Sequence, residues 1–379
     1  MRVHVVDPSA YTPPYDHALC HALGAAGADV ELFTSRFAYG PVAPAEGYAR
    51  RELFYRAARF APGSRAQRMV KLAEHVPDML SYRRAARDAD VVHFQWLSVQ
   101  QLDGHLLPAR RGAAGSRRRA RGSRRPLVLT AHDVMPREPR PGQLAAQRRL
   151  YDRFDALVVH SEHGRERLTR ELGVDPDRVH VIPHGVFAHL ADVPPRPPPF
   201  QVDSPVVLCF GLMRPYKGID VLLQAWQMLG VPPAHAELWI VGMPRMDIAP
   251  LRAAAPPNVR FVPRFITDGE LPAYFQRADL VVLPYREIDQ SGVLFTALAF
   301  GKPLLLSDVG GFPEIAATGA ARTVPAGDPA ALRDALGELL GDPPALARMG
   351  AAAQAAAAEE YGWETIARRT LELYRSLGA

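Results

Sequence analysis

Residues 205–229, PVVLCFGLMRPYKGIDVLLQAWQML, and residues 280–307, LVVLPYREIDQSGVLFTALAFGKPLLLS, decide the fold class. Each opens on a short uninterrupted apolar run, stops at a Gly or Pro, and continues into a longer segment with apolar residues at helical spacing. A strand buried on both faces reads as such a run, and a helix covering one face of a sheet shows the 3.6-residue period. Strand, loop and helix in that order indicate βαβ units and a parallel sheet.

The same alternation extends outward in both directions. The first half predicts strands at Val3–Val6, Val30–Thr34, Val91–Phe94, Leu127–Ala131, Leu157–His160 and Val179–Ile182, with helices at Asp16–Ala26, Arg65–Arg87, Gly142–Phe154 and Glu162–Leu172. The second half predicts strands at Val206–Phe210, Glu237–Val241, Val259–Val262, Leu280–Leu283, Pro303–Ser307 and Arg322–Val324. Its helices fall at Gly218–Leu229, Asp268–Arg277, Gly292–Phe300 and Pro329–Leu340, followed by a helical tail from Pro343 to Leu377. Between the halves, DVPPRPPPFQVDSP (192–205) cannot sit inside a helix or a central strand, and it marks a stiff connector. The expectation is two doubly wound α/β units, 1–190 and 204–360, facing a central cleft. Ligands of such sheets bind beyond the C-terminal strand ends.

A length of 379 residues suits two domains of ordinary size. The composition, 48% apolar and 22% charged, is neither that of a disordered chain nor, lacking a long apolar run, that of a membrane span. The opening MRVHVVDPSAYTPP meets a proline after few apolar residues, so it reads as a strand instead of a secretory signal. Cys20 and Cys209 form no disulfide framework or metal-ligand set, which points to a reducing cytoplasm. The net charge of +5 is local: ARRGAAGSRRRARGSRR (109–125) holds eight arginines, without which the chain carries −3. That argues against a nucleic-acid binder. The run reads as a solvated insertion, with peripheral contact to an anionic membrane surface through Arg110–Arg125 as the alternative.

GxGxxG and GxxxxGK[ST] are absent, which weakens a nicotinamide enzyme or a nucleotidase, and HExxH and paired CxxC are absent too. Four loop clusters carry polar chemistry instead. In FGLMRPYKG, Arg214 and Lys217 sit between Gly211 and Gly218 at the start of a helix, an arrangement suited to a diphosphate. In YREIDQSGV, Glu287 and Asp289 can accept from sugar hydroxyls. Ser291 there reads as an N-cap, and the amides after it, at Gly292 and Val293, are free for anions. His132-Asp133 directly follows a strand. His184-Gly185 ends another, where a structural turn is an equal reading.

The order of these clusters, HD, then PHGV, GxxRxxKG, VG, and LPY…GVLFTALAFGKPLLLSDVGGFPEI, resembles the retaining GT-B glycosyltransferases of the family 4 type over nearly the whole chain. The resemblance implies a nucleoside-diphosphate-sugar donor on the C-terminal domain and an unidentified hydroxyl acceptor on the N-terminal one. It also implies hexosyl transfer with retention, and no metal or cofactor. Arg214 and Lys217 would bind the diphosphate, and Gly242 and Thr296 would lie on the donor side. His132 would touch the transferred sugar, and a last helix at about 363–376 would return to the first domain. The family pattern E-x7-E aligns onto Ile288 and Thr296, neither of them acidic; Glu287 or Asp289 would replace the first glutamate. No Gly-Gly precedes the first helix, so Ser9 and Tyr15 would line that position. A non-catalytic scaffold or a nucleotide-sugar epimerase are the competing readings.

Overall fold

The computed structural model describes residues 1–60, 63–108, 125–136, 141–194, 197, 200–230 and 236–379. The chain divides into two units, Met1–Gly185 with Trp363–Ala379, and Val186–Gly362. The first unit holds β1 (Arg2–Asp7), β2 (Asp29–Ser35), β3 (Ala49–Phe54), β4 (Val91–Phe94), β5 (Leu127–Thr130), β6 (Ala156–Val159) and β7 (Val179–Val181). They form one parallel sheet in the order β3-β2-β1-β4-β5-β6-β7. The second unit holds β8 (Val206–Phe210), β9 (Glu237–Val241), β10 (Val259–Val262), β11 (Leu280–Leu283), β12 (Leu304–Ser307) and β13 (Ala321–Val324), parallel in the order β10-β9-β8-β11-β12-β13.

The expected strands recur because helices cover both faces of each sheet. All residues of β4, β5, β6, β11 and β12 are buried, so their sequences are continuous apolar runs. β3, ARRELF, escapes that reading. As an edge strand it exposes Ala49, Arg51 and Glu52, and charge on an edge also discourages pairing with another chain. Helices Gln100–Leu106, Ala188–Ala191, Ala249–Ala254 and Phe312–Ala316 are too short to display a period. The core of the first unit includes Phe33, Phe54, Tyr82, Phe94 and Phe154. That of the second includes Leu222, Trp226, Ile240, Val282 and Leu336.

The helical tail is two helices, Pro343–Ala358 and Trp363–Ser376, because the chain turns at Glu359–Gly362. A Cβ on Gly362 would lie 2.7 Å from the Ala358 carbonyl oxygen. The last helix packs on Pro13–Ala25, and its Tyr374 hydroxyl meets His93 Nδ1 at 2.6 Å. The chain leaves the first unit at Gly185, so the proline-rich run 192–205 belongs to the second unit. Gly185 is required there: a Cβ would strike the Trp363 indole. Of the arginine-rich run only Arg125 lies within the described residues, and it departs from the solvated reading. It is 4% exposed and donates from Nε to Ala89 O (3.1 Å) and from Nη2 to Arg87 O (2.9 Å). No described helix is long and apolar enough to cross a membrane.

Candidate functional site

In both sheets the chain winds outward from a central strand, then returns to start again on its other side. The switch points are therefore β1/β4 and β8/β11, where loops on opposite headings leave a crevice. The polar clusters of the sequence fall beside these points.

At β8/β11, Gly211 (φ 117°) ends β8 and Gly218 (φ 65°) precedes the helix Ile219–Leu229. Both backbones are left-handed, which favours glycine. A Cβ on Gly218 would collide with the Pro284 carbonyl, and one on Gly242 (φ 143°) with the Gly211 carbonyl. The loop after β8 also hydrogen-bonds the loop after β9: Met213 N–H donates to Met243 O and Arg245 N–H to Met213 O. Between these glycines Arg214 is exposed, with no acidic partner among the described residues. Lys217 is 8% exposed, its Nζ 3.7 Å from the Tyr285 ring centroid. The two cations thus differ: one is solvated, the other is held over an aromatic face. Arg286, which the sequence reading passed over, clamps the loop. It donates from Nη1 and Nη2 to the Asp220 carboxylate (2.9 and 2.6 Å) and from Nη1 to Pro215 O (2.8 Å). The guanidinium holds the Asp220 carboxyl below the usual carboxylate range.

The helix Gly292–Ala299 starts against the same loop; a Cβ on Gly211 would sit 3.1 Å from Val293 Cγ2. Ser291 occupies the cap position, but its hydroxyl meets the Tyr285 hydroxyl at 3.3 Å and caps nothing, a departure from the capping role expected of it. The Gly292 and Val293 amides have no intrahelical partner, as at any helix start. Thr296 is 5% exposed and donates its hydroxyl proton to Gly292 O (3.0 Å), so toward a ligand it can only accept. Asp289 is 8% exposed and its carbonyl accepts from Gly311 N–H (3.2 Å), whereas Glu287 is exposed.

The first unit gathers three of its five predicted residues, Tyr15, His132 and His184. The loop after β1 is tied down by the buried Asp7 carboxylate, which accepts from the amides of Ser9, Tyr11 and Thr12. In place of a glycine the left-handed turn is made by Ala10 (φ 49°), a strained backbone costing about 1–2 kcal/mol. Burial and the neighbouring Asp7 carboxylate raise the Asp16 carboxyl well above its usual range, so Asp16 carries the proton of that pair. Ser9 Oγ lies 2.7 Å from Ser98 Oγ, across the switch point. Tyr15 is buried edge-on to both His132 and His184, each at 4.8 Å. His132 stacks on Trp96 (centroids 4.9 Å, 11°) and places Nδ1 3.2 Å from His160 Nε2. His184 Nδ1 donates to its neighbour Gly185 O (2.7 Å). Asp133 is exposed and turns away, lining a separate open hollow of about 270 Å³ with Gln100, Met135 and Gln143.

Burial, reinforced by the adjacent imidazoles, pushes His132 and His184 well below the ordinary histidine value; burial alone brings His160 to about 4. These rings are neutral, and that fixes their tautomers. His160 Nδ1 faces the Ile182 carbonyl (3.0 Å) and must donate, so its Nε2 accepts from His132 Nδ1–H. His132 Nε2 is then a lone pair facing the Gln95 amide (3.2 Å). Turning that amide brings its NH2, otherwise buried without a partner, onto the ring. Gln95, Trp96 and His160 were not singled out in the sequence, although each lies within two residues of a strand end.

Two family models cover most of the chain: "Glycosyl transferases group 1" matches residues 204–342, and "Glycosyl transferase 4-like domain" matches residues 14–185. A D-inositol 3-phosphate glycosyltransferase of Xylanimonas cellulosilytica is 27% identical over 94% of this chain and 89% of that protein. A GDP-mannose-dependent alpha-(1-6)-phosphatidylinositol monomannoside mannosyltransferase of Mycolicibacterium smegmatis is 30% identical over 67% of this chain and 71% of that protein. Among solved structures, a sucrose-phosphate synthase from Thermosynechococcus elongatus superposes with a TM-score of 0.75 at 20% identity, covering 100% of this chain and 99% of that one.

Proposed function

This chain belongs to the group 1 glycosyl transferases, glycosyltransferases of the GT-B fold that use nucleotide-sugar donors, and from that premise we propose that it moves a hexosyl unit to an acceptor hydroxyl with retention of configuration and without a metal. The donor diphosphate rests on the second unit and the acceptor on the first. The observation that carries the reading is the β8/β11 switch point, where Arg214, the buried Lys217 and the Gly292 and Val293 amides lie on and beside one loop bounded by positive-φ glycines.

Breaking the bond from sugar to diphosphate builds negative charge on the departing phosphate. Cations and helix-terminal amides already in position stabilise that charge without reorganising, a role a metal fills elsewhere. The leaving phosphate takes the acceptor proton, as the family resemblance implies. Thr296, able only to accept, suits a ribose hydroxyl donating to it in place of the family glutamate. His132 is neutral with both ring nitrogens engaged, so it meets a sugar hydroxyl at Nε2 only by giving up the Gln95 amide.

A thermal-shift panel of UDP, GDP, ADP and TDP identifies the base; a ligand at 100 times its Kd adds about 2.7 kcal/mol of stability. Release of nucleoside diphosphate from the matching sugar donor then reports chemistry. Arg214→Ala and Lys217→Ala should each lower turnover at least about tenfold with melting temperature unchanged. Near-normal turnover in both variants, or no diphosphate release by the wild type, would remove the proposal.

A further inference from the structure

The helix Arg65–Ala85 of the first unit carries apolar side chains on the face turned to water. Inward it sets Gln67, His75, Met79 and Tyr82, all buried. Its two acids, Glu74 and Asp78, turn to the loop after β3 and accept from the amides of Ala57 (2.9 Å) and Tyr55 (2.8 Å). Outward, at spacings of three, four and four, stand Met69 (60% exposed), Leu72 (52%), Val76 (37%) and Leu80 (40%), with exposed Ala73 and Pro77 between them. Single exposed apolar side chains are ordinary, but these form one stripe about 16 Å long at 1.5 Å per residue. Arg65 and Arg68 flank its start, and Arg83, Arg84 and Arg87 follow its end; no exposed residue from Arg65 to Arg87 is acidic.

Leu80, the last member of the stripe, also lines an open hollow of about 330 Å³ together with Arg83, Arg84, Arg87 and Arg125. Arg125 precedes β5 by two positions and Arg87 precedes β4 by four, so the hollow lies at the N-terminal edge of the sheet. The crevice at the C-terminal strand ends is at the opposite edge. Arg125 is buried and pinned by the carbonyls of Ala89 and Arg87, which fixes one charge in the hollow. No acid among the described residues lines the hollow, and Arg83 and Arg84 pair with none of them. Guanidiniums gathered in this way repel one another, and their planar forks match the oxygens of a phosphate group.

We propose that this face docks on an anionic bilayer, the stripe entering the boundary between headgroups and acyl chains while the hollow receives a lipid phosphate. Charge selects the occupant. A second copy seated on the same face would set arginine against arginine. A neutral apolar partner would leave the flanking arginines without counter-charge. A bilayer presents phosphate beside hydrocarbon, and a helix of this kind lies in the interface plane with its apolar face about 5–10 Å deep. No described helix is able to cross a membrane, so the contact is peripheral.

Sedimentation of the full chain with phosphatidylcholine vesicles, with and without phosphatidylglycerol, tests the surface in the absence of donor and acceptor, so its failure and that of the transferase reading are separate results. Wild type should bind the vesicles that contain phosphatidylglycerol, leave them as salt rises, and ignore pure phosphatidylcholine. Leu72→Gln with Val76→Gln should weaken that binding at least about tenfold through lost apolar burial, and Met69→Gln, at the most exposed position of the stripe, should weaken it in the same direction. Arg83→Gln with Arg84→Gln should weaken it about 25-fold, about fivefold for each charge. All variants alter the surface and should melt close to wild type. They keep the run 109–124, so a contact made by that run alone would survive in them. Binding retained by the Leu72 and Val76 double variant, equal binding to both kinds of vesicle, or no binding by wild type would overturn the proposal. So would stabilisation by inorganic phosphate that the Arg83 and Arg84 double variant loses, seen without vesicle binding, since the hollow would then serve a soluble phosphate. A stripe-dependent dimer in light scattering, or stripe-dependent binding of polyglutamate, in place of vesicle binding would give the face to a second copy or to an acidic protein and overturn it equally.

Discussion

Acid should weaken the first unit through its buried histidines, and His93 isolates the effect. It is 2% exposed and wedged between Tyr374 and Thr130, with Nδ1 2.6 Å from one hydroxyl and Nε2 2.8 Å from the other. Burial lowers its pKa to about 3, while an unfolded chain restores about 6.5. The folded value is the depressed one and the neutral form is the folded form. The contribution to stability is therefore complete above pH 6.5 and is lost as pH falls through 6.5 toward 3. At pH 5 the unfolded ring holds a proton that the folded ring refuses over about 1.5 pH units, which costs about 2 kcal/mol. His160, brought to about 4 in the fold, adds a comparable loss over the same interval. Urea denaturation at pH 7.5 and pH 5 measures the difference, and the window stays above most carboxylate titrations. His93→Gln keeps a hydrogen-bonding side chain without titrating. It should begin less stable at pH 7.5, because the ring is close-packed, yet lose about 2 kcal/mol less than wild type on going to pH 5. Equal losses in the two proteins would show that His93 accepts a proton inside the fold and refute the reasoning.

The acidic loop after β11 separates two roles: with Asp289 buried beneath Gly311 and Glu287 exposed, Glu287→Gln should lower turnover at unchanged melting temperature if Glu287 touches the sugar, and Asp289→Asn should melt lower; turnover within about twofold of wild type in both would leave the donor to the helix amides alone. Arg286→Met, which removes the clamp on the 214–217 loop, should raise the Kd for the nucleoside diphosphate severalfold with at most about 1 kcal/mol lost in stability, since the ion pair with Asp220 is largely exposed; calorimetric titration showing unchanged affinity would rule out a positioning role. If the arginine-rich run holds the protein to an anionic surface, deleting Arg110–Arg124 while keeping the buried Arg125 should abolish sedimentation with anionic liposomes at low salt and spare donor hydrolysis; equal sedimentation would place the contact elsewhere, and none by either protein would leave the run as an inert insertion.

The sequence by itself determined the layered parallel architecture, because buried central strands and one-faced helices impose different periods on the chain. It also marked out the loop after β8, since left-handed turns at Gly211 and Gly218 and the cations between them are local requirements visible as residue types. Tertiary structure decided what depends on residues distant in the chain. The edge strand β3 lacks an apolar face, so only its pairing with β2 reveals it. The crossing at Gly185 depends on the Trp363 indole, 178 positions away, and no local breaker competes with the proline run that follows. Arg125 reads as one more solvated cation until the carbonyls of Arg87 and Ala89 are seen to receive it. His132 could be named from a motif, but its tautomer comes from His160 and Gln95 on other strand ends. A hydrogen-bonded chain of Asp103, His75 and Tyr55 joins three elements with no shared pattern, because hydrogen bonds between buried side chains are specified by where the backbone brings them together and leave no periodic trace.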